Sequence, residues 1–164
     1  MDPSGHKYSP SKAANYAYKW GNRRNSQYRS HIKDCTNFVS QCVYAGGKTM
    51  KKPKKKIPNG MKNTIYYWYS IKYVIPPANY RWKESSSWIG VSDFYNYWKN
   101  NRAQIIQCKT IKILNNKAKL GDIVQLNEGK GWYHSIIISK GRKENWKYAG
   151  HSNNRKANSV KNIG

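Results

Sequence analysis

Apolar residues along the first third of the chain recur at helical spacing. Ala13, Tyr16, Ala17 and Trp20 fall on one face of a segment that Ser9 can cap, Pro10 can open and Gly21 can end. A second helix is predicted in DCTNFVSQCVYAGG, with Asp34 as N-cap, an apolar stripe of Phe38, Val39, Cys42 and Val43, and Gly46 as its stop. Residues 48–60, KTMKKPKKKIPNG, hold six lysines and two prolines and read as an extended, solvated loop. The stretch TIYYWYSIKYVIPPANYRWKESSSWIGVSDFYNYWKNN is dense in Tyr and Trp, with a turn at Pro76 and Pro77 and a helix from about Ser92 to Asn101. Its rings are read first as a core wall.

In the last third the period changes. IIQCKTIKI, GDIVQLN, WYHSIIISK and NWKYAGHS are short β-rich runs separated by Gly, Asn and Lys clusters, which predicts an antiparallel sheet. The pattern gives one α+β domain over residues 1–164, its N-terminal helices packed on a C-terminal antiparallel sheet and residues 1–8 loose. No internal repeat or linker divides it.

Composition sharpens this picture. Leu stands only at 114, 120 and 126, while Ile, Tyr and Trp supply the bulk, so the core is rich in β-branched and aromatic residues. Lys and Arg total 31 against 7 Asp and Glu, a formal charge of +24, which suits a polyanionic target. Glycosidases typically flank the scissile bond with paired carboxylates. The few acids here, Asp2, Asp34, Glu84, Asp93, Asp122, Glu128 and Glu144, form no obvious pair.

Cysteines stand at 35, 42 and 108, with no CxxC and no metal-ligand spacing, so neither metal nor cofactor is expected. On one helix, Cys35 and Cys42 would lie about 10 Å apart along the axis, too far for a disulfide. The N-terminus lacks the apolar stretch of a signal peptide, and no run reaches the length of a membrane span. A cytoplasmic protein, export or release without a leader, and a domain cut from a longer precursor are all compatible with that.

The candidate chemistry starts at Cys35. A thiol attacks a carbonyl as its thiolate, and the first turn of a helix favours that form. A neighbouring imidazole completes the activation and protonates the leaving amine. Among His6, His31, His134 and His151, His134 sits in the apolar strand WYHSIII, which would hold its ring rigidly. His151 and Asn153 follow in AGHSNN, and either could bond the far nitrogen of His134 as the third member of a triad. Cys42, two turns deeper on the stripe, reads as core. The rival reading is a basic, non-catalytic module whose charge and rings bind a polyanion. No RRM, KH, zinc-finger or helix-turn-helix signature supports nucleic acid as that partner.

DCTNFVSQCVYAGG, SSSWIGVSDFYNYWKNN, GDIVQLNEGKGWYHSIIISK and HSNNRKANSV, in this order, resemble the successive blocks of the putative amidase domain family, the sixth of the numbered amidase families. That family is related to the CHAP and NlpC-type cysteine hydrolases. The resemblance runs from about residue 10 to the end. It implies a papain-like α+β domain with Cys35 as nucleophile, His134 as general base, and His151 or Asn153 as orienting residue. Asp34 and Asn37 match the block around the nucleophile, where backbone N–H groups at the helix start could bind the oxyanion. The implied activity is cysteine-dependent amide hydrolysis, as amidase or endopeptidase, in bacterial peptidoglycan. A monomeric lysin released to the cell wall is expected, with anionic teichoic acid as a further partner. A cysteine-hydrolase toxin acting on a protein substrate would share the same site.

Overall fold

The computed structural model describes residues 7–127, 129–151 and 155–163. Helix α1 (Pro10–Trp20) opens with the Ser9 hydroxyl accepting from the Lys12 amide, as its sequence predicts. Helix α2 (Cys35–Ala45) follows a long connection, and Gly46 ends it; the backbone turns through positive φ one residue later, at Gly47. A side chain at Gly46 would collide with the Tyr8 ring, whose nearest carbon lies 2.5 Å from an ideal Cβ.

Two sheets follow. The first holds β1 (Gly60–Lys62), β2 (Ser70–Ile75) and β3 (Asn79–Ser85) in the order β1-β3-β2, with β2 antiparallel and β1 parallel to β3. The turn at Pro76 and Pro77 joins the hairpin. Short α3 (Ser86–Ile89) and α4 (Val91–Asn100) lead to α5 (Ile111–Lys117). The second sheet is the antiparallel series β4 (Ile123–Asn127), β5 (Trp132–Lys140), β6 (Lys147–Gly150) and β7 (Arg155–Ser159).

The architecture is the mixed α+β arrangement expected, with N-terminal helices on a C-terminal four-stranded antiparallel sheet. Two expectations need correction. IIQCKTIKI is no strand: it is a connection running into α5, whose first turn is capped by the Thr110 hydroxyl accepting from the Ile113 amide. The β-branched residues there suited a strand, but a side-chain cap supplied the helix with its missing acceptor. The small sheet β1-β3-β2 was also missed, because aromatic density was read as a core wall without its alternation.

β5 explains why WYHSIIISK is so apolar. Ile137 packs with Ala13, Ala17, Phe38 and Val39 beneath α1 and α2, while Ile136 and Ile138 pack with Ala118, Tyr148 and Val160 on the α5 side. A strand covered on both faces loses its polar alternation. The first core also takes in Trp68 and Trp88, both fully buried with ring centroids 4.5 Å apart.

Candidate active site

Cys35 is the first residue of α2 and is buried, as are its neighbours Asp34, Thr36 and Asn37. Asp34 stands at the N-cap position, yet its carboxylate does not cap the helix. It turns back instead. Oδ1 accepts from the His31 amide at 3.1 Å and from Asn37 Nδ2 at 2.9 Å, while Oδ2 faces Arg24 at 3.0 Å and His151 Nδ1 at 2.5 Å. Burial opposes the charged form of this carboxyl, but the hydrogen bonds from His151, Asn37 and the His31 amide outweigh it and hold its pKa below the ordinary value. With Asp34 so occupied, its side chain does not cap α2, and among the described residues no other side chain is seen to take the first-turn amides beside Cys35.

Asn37 is equally committed. Its Nδ2 also donates to the Arg29 carbonyl at 2.8 Å, and its Oδ1 accepts from Trp88 Nε1 at 2.9 Å. Its side chain thus fixes the approach to Cys35, and any oxyanion donor in this block is backbone.

His134 lies on β5, paired in register with Leu126 of β4. It is half-buried, and loss of solvent lowers its pKa, so the neutral imidazole is favoured. The strand is fastened to the helix by the residues next in sequence to both candidates: the hydroxyls of Thr36 and Ser135 share a hydrogen bond of 3.0 Å. Ile137, two residues on from Ser135, packs with Phe38 and Val39 of α2, while Ile136 packs on the α5 side. The Thr36–Ser135 bond therefore ties the two backbones next to both candidates.

Gln125 Nε2 donates to the Val91 carbonyl at 3.0 Å and to Ser135 Oγ at 3.1 Å. Thr36 Oγ1, bonded to Ser135, lies 3.8 Å from Cys35 Sγ. A run of polar contacts thus leads from Gln125 through Ser135 and Thr36 to the sulfur.

His151 stands just past β6, buried and stacked on Phe38 with centroids 3.9 Å apart. Its Nδ1 faces Asp34 and its Nε2 lies 2.8 Å from the Trp20 carbonyl. Both ring nitrogens are thus engaged, and neither is left for His134. Asn153 lies outside the described residues.

The structure thus brings Asp34, Cys35, Asn37 and His151 into one cluster and ties it to the strand bearing His134. Sequence reasoning passed over Thr36, Gln125, Ser135 and Arg24. The first three stood inside DCTNFVSQ, GDIVQ and WYHS, but hydroxyl and amide side chains announce no role until their partners are known. It also set aside His31, whose Nε2 is 2.9 and 3.1 Å from the two carboxylate oxygens of fully buried Glu84. His31 lines an open cleft of about 530 Å³ with Arg29, Lys33, Met61 and Ile89. Gly90 lines it too, one residue before the Val91 that Gln125 binds. All three cysteines are free; Cys42 is fully buried, and burial pushes its thiol well above the ordinary pKa.

Residues 7–164 match the family described as a putative amidase domain. The chain belongs to that family. Amide hydrolysis is accordingly the general activity to which this domain is assigned. A stretch of 39 residues is 49% identical to the Bacillus subtilis (strain 168) "uncharacterized protein YhbB", covering 24% of this chain and 12% of that protein. No solved structure matches the chain significantly. Among the described residues, no helix is long and apolar enough to cross a membrane.

Proposed function

We propose that this protein is a cysteine amidase or endopeptidase that cuts amide bonds in bacterial peptidoglycan, with Cys35 as nucleophile and His134 as general base. The observation that carries the reading is the position of Cys35: it opens a helix that its N-cap residue Asp34 leaves uncapped, and the adjacent Thr36 is hydrogen-bonded to the strand that holds His134. The thiolate attacks the scissile carbonyl, and first-turn amides of α2 receive the developing oxyanion. Neutral His134 takes the thiol proton and passes it to the leaving amine; water then opens the thioester. Asp34, His151 and Asn37 hold the nucleophile's backbone. With both nitrogens of His151 engaged, Asn153 is the residue assigned to orient His134. The cleft along 29–33 receives the substrate. A charge of +24 supports accumulation on walls that carry teichoic acid, and a monomer working at the cell wall is part of the proposal.

The test is incubation of purified walls with the protein and with Cys35→Ser, following turbidity and newly released amino groups. Clearing with new amino groups from the native protein alone supports the reading. Walls that stay turbid and release none refute the substrate assignment.

A further inference from the structure

The hairpin of β2 and β3 has a feature that amide hydrolysis leaves without a use. Every residue from Val74 to Arg81 is exposed. Val74 is 55%, Ile75 40% and Tyr80 50% accessible, and Pro76, Pro77 and Ala78 lie between them, so the tip is a continuous uncharged surface. β2 is the outer strand of its sheet, and β1 reaches only Lys83 to Ser85 at the hairpin's base, so the tip projects.

Just behind the tip stand Lys72, Arg81 and Lys83. Lys72 Nζ sits 4.3 Å from the Tyr80 ring centroid and 5.6 Å from that of Trp82, and Lys83 Nζ lies 5.2 Å from that of Tyr73. The hairpin's own acid, Glu84, is fully buried at its base against His31. The base is anchored as well, since Trp82 Nε1 donates to the Gln27 carbonyl at 3.0 Å and Lys72 Nζ to that of Ser26 at 2.9 Å.

We propose that this hairpin docks the protein on a bilayer with anionic headgroups, its Val74–Ile75–Tyr80 tip entering the interface and its cations meeting the headgroups. A soluble polyanion would engage the cations and stack on the rings, but it would leave Val74 and Ile75 in water. An anionic lipid surface rewards both the apolar tip and the basic collar behind it. The proposal is independent of catalysis.

The test is sedimentation of the full chain with vesicles of phosphatidylcholine alone and of phosphatidylcholine with an equal part of phosphatidylglycerol. The native protein is expected to sediment with the anionic vesicles. Val74→Ser with Ile75→Ser keeps the charge and is expected to weaken this binding roughly tenfold, by the apolar area withheld. Ile105→Ser with Ile106→Ser removes comparable exposed apolar surface elsewhere and is expected to change nothing. If the hairpin variant binds like the native chain, adsorption is by charge alone and the proposal fails. It fails too if soluble polyphosphate binding is lost in that variant to the same degree, since the occupant is then a polymer.

Discussion

Asp34 Oδ2 and His151 Nδ1 lie 2.5 Å apart although 117 residues separate them in sequence, and the contact anchors the residue before the candidate nucleophile to the end of β6. Arg24, Asn37 and the His31 amide complete the shell around that carboxylate.

Replacing Asp34 by Asn removes the charge and leaves His151 buried against a neutral amide. A loss of about 3 kcal/mol is expected, the scale for breaking a buried pair. Half-exposed Arg24 contributes little of it. Urea unfolding of the native protein and D34N measures the difference; equal midpoints would show that the contact carries no stability.

The same carboxyl sets an acid limit. Its folded pKa is lowered, so its contribution is fully present above the unfolded value near 3.8 and is lost as pH falls through the lower folded value. Thermal unfolding of native protein and D34N between neutral pH and about pH 2 should show the two curves converging at the acid end.

His134 has its pKa lowered by burial, which keeps the neutral base present to lower pH than an ordinary histidine at 6.5 would allow. The acid limb of the pH profile of kcat/KM on a soluble amide substrate should therefore fall below 6.5. A limb above that value, or one that persists in His134→Gln at undiminished rate, would assign the base elsewhere.

Thr36→Val breaks the run of polar contacts from Gln125 to the sulfur and leaves the buried Ser135 hydroxyl without its Thr36 partner. Stability is expected to drop by about 1–2 kcal/mol. Activity should fall in kcat with KM unchanged, and Thr36→Ser should restore it; a loss of stability alone would reduce the hydroxyl to a structural tie.

Small-reagent alkylation followed cysteine by cysteine tests the thiol itself. Cys35 is expected to react faster than buried Cys42 and half-buried Cys108, and to lose that advantage in His134→Ala. Uniform rates would remove the nucleophile from the proposal.

Much of this was legible from local chemistry. Ser9 and Pro10 marked the start of α1, Cys35 fell at the first residue of the helix expected there, and WYHSIII formed the strand expected to carry His134. The segment IIQCKTIKI was misread because β-branched residues and the capping Thr110 argue for different elements, and the cap prevailed. The hairpin Ser70 to Ser85 was hidden behind its aromatic content.

The sequence by itself determined the helix that presents Cys35, the β-rich character of the last third and the family to which the chain belongs, because caps, periodicity and ordered motifs act over a few residues. Only the tertiary structure decided what Asp34 and His151 do. As isolated residues they read as a helix cap and a triad member. Their mutual bond spans more than a hundred positions and depends on the packing of α2 against β5 and β6, and a carboxylate engaged by His151, Arg24, Asn37 and the His31 amide does not cap the helix it precedes.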